Sequence, residues 1–122
     1  MKIKLTELES LTSKALAKYG YSESEAKVIQ NILLYAQLRG NNQGVVKLIG
    51  NGIPRRSQGS EPVIEKETMV SALVNGNATH AMVVMDQLVD IAIEKATTIG
   101  VGIAGNYNTD ESTGALGYYV NR

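Results

Sequence analysis

Apolar residues recur at helical spacing from the start of the chain, with Leu8, Leu11, Ala15, Leu16 and Tyr19 on one face. Thr6 and Glu9 are spaced as a capping box, in which the hydroxyl takes a backbone N–H and the carboxylate reaches back. Gly20 supplies a left-handed stop. Ser22 and Glu25 repeat the box, and Ala26, Ile29, Ile32, Leu33 and Ala36 line the next helix, which Gly40 ends. Two helices joined this closely predict an αα-hairpin. Asn42 is placed to cap a short third helix over 43–49. Residues 51–61 are polar, hold Gly52, Pro54 and Gly59, and predict an irregular loop.

The period then changes. Residues 63–64 and 69–74 are apolar and β-branched enough for strands, with Asn75-Gly76 as a turn signal. Residues 79–98 carry the strongest helical pattern, burying Val84, Met85, Leu88, Ile91, Ala92 and the stem of Lys95, and Gly100 stops it. Residues 101–106 predict a short strand, 108–112 a polar turn, and 113–120 a fresh helix. The order predicts an α/β fold, with α+β as the alternative: an αα-hairpin, a short third helix and a small sheet covered by one long helix. The length fits one domain, and one compact unit is expected, made of 1–60, helical with its loop, and 61–122, the sheet and its helix. A strand feeding a polar turn and a new helix ordinarily continues into another βα unit, so the 122 residues look cut short.

Composition narrows the function. Twelve Lys and Arg balance twelve Asp and Glu, so the broad basic field of a nucleic-acid binder is absent. That balance, with Glu23 and Glu25 opening the second helix, argues against a DNA-reading helix-turn-helix. With no Cys and one His, thiolate metal sites, Cys nucleophiles and multi-His sites within one chain are excluded. No stretch approaches the roughly 20 apolar residues of a membrane span, and MKIKLTELES lacks the apolar run of a signal peptide. A cytoplasmic protein is the expectation.

Several segments could carry chemistry. GVGIAG, from Gly100 to Gly105, spells GxGxxG, but it follows a helix and runs through a strand, whereas a dinucleotide fingerprint follows a strand and opens a helix. It is expected to be a cap glycine plus small residues packed on a neighbour. His80, near the start of the long helix, is expected to cap it or lie at the surface, since no Asp, Glu or Ser stands close in sequence. Asn77-Ala78-Thr79 spells a glycosylation acceptor but is expected to be a turn and cap. Arg39, Lys47, Arg55 and Arg56 form a loose basic segment, suited to a carboxylate or phosphate or simply to solvent. NYNTDESTG, from Asn106 to Gly114, is the most site-like stretch. It leaves a strand's C-terminal end, where α/β ligand sites gather, and Thr113-Gly114 would present backbone N–H groups at a helix start. The alternative is an ordinary surface turn.

Three stretches together carry a resemblance: LLYAQLRGNNQGVVKL, ETMVSALVNGNATHAMVVMDQLVDIAIEKATTIGVGIAGN and STGALGYYVNR. In order and spacing they resemble the type 2 malate/L-lactate dehydrogenases, NAD(P)-dependent 2-hydroxy acid dehydrogenases whose cofactor fold is not Rossmann. The resemblance runs from about Leu5 to Arg122. It implies that 61–122 begin the cofactor domain, that NAD or NADP is the cofactor, and that the substrate is a small 2-hydroxy or 2-keto acid. It also implies dimers, and a chain lacking the later βα units should form a homo-oligomer or bind a complementary fragment. No nucleic acid or membrane partner is implied. In the family's Ser-His-Gly segment Gln43 stands where the His would be, and Lys47 stands where a substrate-binding Arg would be. Ser112 falls at the catalytic His position, doubtful as a replacement, and Asn108, Thr113 and Gly114 fall at cofactor-binding positions. The family's acid is therefore missing and the chain is too short, so the isolated chain is expected to be inactive. A truncated remnant that binds a partner or itself is the alternative.

Overall fold

A computed structural model describes residues 2–50, 52–55 and 59–122. It holds two compact units, Met1–Arg55 with Gly114–Asn121, and Arg56–Thr113 with Arg122. Helices and a small three-stranded sheet make up the fold, as the patterning predicts.

In the first unit, α1 (Leu5–Lys18) and α2 (Glu23–Gln37) form the hairpin. Leu16, Ile29, Ile32, Leu33 and Ile53 are fully buried in its core. Burying each such side chain contributes about 1.5–3 kcal/mol. Gln30 is also buried, and its amide donates to the Glu9 carbonyl at 2.6 Å and the Ser13 hydroxyl at 2.8 Å, tying α2 to α1. Gly20 sits at φ +91°, and the N–H groups of Gly20 and Tyr21 return to Ala17 and Leu16, closing α1 as a Schellman motif.

Two local expectations are corrected here. The Ser22 capping box forms, but Thr6 caps nothing: Lys4 is the N-cap, with no side-chain bond. Its carbonyl already accepts from Glu7 and Leu8, which puts Thr6 inside the first turn. The third helix is a single 3₁₀ turn, Val45–Leu48, capped at Gly44 rather than Asn42. β-Branched Val45 and Val46 favour helix weakly, and Gln37 Oε1 takes the Val45 N–H at 3.2 Å, doing the work expected of Asn42.

In the second unit, β1 (Val63–Glu67), β2 (Ser71–Asn75) and β3 (Ile103–Tyr107) lie in that order, β1–β2 antiparallel and β2–β3 parallel. β1 runs three residues beyond the apolar pair expected, because it is an exposed edge strand where Glu65, Lys66 and Glu67 meet water. Met69 and Val70 belong to the hairpin turn, with Thr68 Oγ1 accepting from the N–H groups of Val70 and Ser71. α3 (Ala81–Ile99) covers one face of the sheet. Val74, Val84 and Leu88 form its core, with Met85, Ile91 and Ala104 packed around them. Gly100 ends α3 in the left-handed conformation at φ +94°. The last helix, α4, is only Leu116–Val120, in the first unit, and Ala115 rather than Thr113 or Gly114 is its N-cap. Gly114 has φ +75°, which breaks the helix expected from 113 onward. Among the described residues no helix is long and apolar enough to cross a membrane.

Candidate functional site

The parallel strands β2 and β3 end side by side, and two loops leave their C-terminal ends: 76–80 toward α3 and 108–113 after β3. The loops are zipped together by backbone. Gly76 N–H donates to the Tyr107 carbonyl at 2.9 Å, Ala78 to Asn108 at 2.8 Å, Asp110 to Thr79 at 3.0 Å and Ala81 to Asp110 at 2.7 Å. The approach is close enough that a Cβ on Gly76 would lie 2.5 Å from the Thr109 methyl. Asn77, Ala78, Asn108 and Glu111 all hold positive φ, between 48° and 60°. Non-glycine residues rarely adopt that backbone, and such strain gathers at functional sites.

His80 lies at this junction and is buried. Its Nδ1 accepts the Met82 N–H at 3.1 Å, so it caps α3 as expected. The backbone pairs it with Asp110, thirty residues away, which proximity in sequence could not show. Thr79 donates to the Ser60 carbonyl at 2.6 Å and Asn77 to the Glu61 carbonyl at 2.8 Å, so Asn77-Ala78-Thr79 is the turn expected.

A polar network supports the loops from the sheet. A bulge between Ile64 and Lys66 sets Glu65 toward Tyr107 and Asn75. Glu65 accepts from the Tyr107 hydroxyl at 2.6 Å and the Asn75 amide at 3.1 Å. Asn75 Oδ1 in turn accepts from the Asn108 amide at 2.9 Å and the Asn77 N–H at 3.0 Å. The bond from Tyr107 holds the Glu65 carboxyl below its usual range, with smaller help from Asn75 and Lys66. The same bond raises the Tyr107 hydroxyl. Sequence reading misses Glu65 altogether, because the bond to Tyr107 spans forty-two positions.

The GxGxxG spelling is structural, as expected. Gly100 caps α3, and a Cβ on Gly102 would come within 2.0 Å of the Ala92 carbonyl oxygen.

In the first unit, Gln43 and Lys47 share one segment, at and just before the 3₁₀ turn. Gln43 N–H donates to Asn41 Oδ1 at 2.8 Å and its amide to Asn42 Oδ1 at 3.3 Å. The segment is anchored by the Tyr19 hydroxyl, which donates to the Leu48 carbonyl at 2.9 Å. Two of the basic residues have partners of their own: the Arg39 guanidinium stacks 3.6 Å over the Tyr35 ring, and Arg55 pairs with Glu25 at 3.6 Å. Arg56 lies outside the described residues. Ser112, Thr113 and Asn108 belong to the second unit, whereas Gly114 belongs to the first.

No metal-ligating cluster occurs among the described residues. A dinucleotide needs donors turned toward it. In the second unit the N–H groups of Gly76, Ala78 and Asp110 are donated to the facing loop, and the Asn108 amide is held by Asn75. The residues of this unit do not by themselves fit a dinucleotide cradle.

Known proteins share this fold. The malate/L-lactate dehydrogenase family model matches residues 3–122. The chain is similar to the malate/(S)-sulfolactate dehydrogenase of Methanothermus fervidus, 38% identical over 93% of this chain and 34% of the relative. It is similar to the malate dehydrogenase of Pyrococcus abyssi, 33% identical over 98% of this chain and 34% of the relative. Among solved structures, the malate dehydrogenase of Pyrococcus horikoshii superposes with a TM-score of 0.85 at 28% identity, over 98% of this chain and 35% of that one. The chain thus spans about a third of the length of the relatives it matches. By the match over almost all of its length, the chain belongs to the malate/L-lactate dehydrogenase family.

Proposed function

We propose that this chain supplies part of an oxidoreductase that interconverts small 2-hydroxy and 2-keto acids with NAD or NADP, and that it does not turn over substrate alone. The observation that carries the reading is the pair of zipped, strained loops at the ends of β2 and β3, in a chain of a dehydrogenase family. Cofactor binding would rest mainly on the two thirds of the relatives' length that these residues do not span.

The chain's own residues have separate tasks. Lys47 supplies a positive charge for a substrate carboxylate, as a point charge rather than the bidentate fork of an Arg. Gln43 supplies a neutral amide donor. Reducing a keto group also needs a proton at the forming alkoxide. Ser112, at the family's acid position, carries a hydroxyl that is a poor acid near neutral pH, so this step is where the chain is deficient. The test is direct. Purified chain with NADH or NADPH and oxaloacetate or pyruvate should oxidise no cofactor above the blank; steady turnover would overturn the proposal.

A second reading has its own observation. Among the described residues β3 pairs on one side only, and Ile103 on it is 62% exposed. An open edge beside apolar side chains favours strand addition. On this reading the chain self-associates or takes up a complementary fragment along β3. Light scattering at micromolar concentration should then give a mass above one chain, and a persistent monomer would dismiss it.

A further inference from the structure

We propose that Glu65 is a positioning residue for the loop at 108–113, acting through Tyr107 and Asn75. Its bearing on catalysis rests on the dehydrogenase reading above; the positioning itself does not.

Geometry makes the case. β1 is an exposed edge strand with no apolar reason to specify an irregular register. Its bulge nevertheless falls at Glu65, whose two carboxylate oxygens are divided between strands. Oε2 takes the Tyr107 hydroxyl from β3, and Oε1 takes the Asn75 amide from β2. Tyr107 is the last residue of β3, and its backbone carbonyl holds Gly76. Asn75 is the last residue of β2, and its side-chain oxygen is shared by Asn108, which opens one strained loop, and Asn77, the second residue of the other. One carboxylate therefore fixes the amide orientation of Asn75 and the hydroxyl of Tyr107 at once. A carboxylate accepts both bonds with its charge; a carboxamide in its place accepts only one and meets Tyr107 by donating to the hydroxyl oxygen, so two charge-assisted bonds give way to weaker neutral ones. The charged and titratable groups around Glu65 are few. Lys66 on its own strand and Tyr107 on β3 act on it, and β2 contributes only the neutral Asn75. Lys66 and the two donors favour the ionised form, so the clamp is engaged at neutral pH and relaxes in acid.

The test is amide exchange, followed residue by residue by NMR on the 122-residue chain. Glu65→Gln and Tyr107→Phe are compared with the parent at pH 7. Losing the clamp should speed exchange of the Gly76 and Ala78 amides roughly tenfold, while Leu88 in α3 stays within about twofold. In the parent the same two amides should lose protection, relative to intrinsic rates, as pH falls through the Glu65 pKa. Glu65→Gln should show no such step, a pH signature that a packing role would not produce. Unchanged exchange at Gly76 and Ala78 in Glu65→Gln overturns the proposal. So does an equal rise at Leu88, which would mean a general loss of stability. The cofactor oxidation assay judges the dehydrogenase reading separately.

Discussion

Gly102 lies against α3 so closely that a Cβ built on it would stand 2.0 Å from the Ala92 carbonyl oxygen. Gly105, three residues on in the same GxGxxG spelling, has nothing within 4 Å of its Cβ position. The two glycines thus look identical in sequence and differ completely in space. Gly102→Ala should destabilise the chain by about 1–3 kcal/mol through overpacking. Gly105→Ala should change stability by less than about 0.5 kcal/mol. Thermal melts of the two variants decide it: equal melting temperatures would show that the close approach is not a constraint.

A second pair separates the two capping boxes. Ser22 accepts the Glu25 N–H, and Glu25 accepts the Ser22 N–H at 2.8 Å. Thr6 makes neither bond. Ser22→Ala should cost about 1 kcal/mol, and Thr6→Ala less than about 0.5 kcal/mol. Urea midpoints at constant slope measure both. A loss at Thr6 as large as at Ser22 would contradict the helix start at Leu5.

These pairs also show what the sequence discloses and where it stops. The Ser22 box, the Gly20 and Gly100 stops and the apolar face of α3 are local, so spacing alone reveals them. Thr6 fails because the N-cap is Lys4, two residues earlier, and nothing in Thr6–Glu9 records that. Only the Val63-Ile64 start of β1 is legible, because an edge strand needs no apolar alternation and its polar Glu65-Lys66-Glu67 looks like loop. The candidate site is less accessible still. NYNTDESTG stands out by composition, but its partners Gly76, Ala78 and His80 arrive only when β2 and β3 pair, and Glu65 only through the bulge. The roles of Gln43, Lys47 and Ser112 come from family resemblance; periodicity and composition carry no trace of them.

Asp86 gives a pH prediction. Burial raises its carboxyl above the ordinary 3.8, more than the Arg122 guanidinium at 2.5 Å lowers it, and Asp90 adds to the rise. A group whose folded pKa is raised contributes stability below its unfolded value and loses it as pH climbs through the folded value. Asp86→Asn keeps an acceptor for Arg122 and removes the partly buried charge. It should therefore melt at or above the parent at pH 7, with the advantage shrinking toward pH 3. A variant markedly less stable than the parent at pH 7 would mean that the Arg122 pairing outweighs desolvation.

The most direct measurement is a segment exchange. This chain replaces the matching third of the Pyrococcus horikoshii malate dehydrogenase, and malate oxidation is followed with the chain as it is and with Ser112→His, beside the unaltered enzyme. If the chain is a dehydrogenase segment deficient only in its acid, Ser112→His should raise kcat by about 10²-fold or more. Equal rates in the two exchanges, or no activity in either beside an active control, would contradict the account.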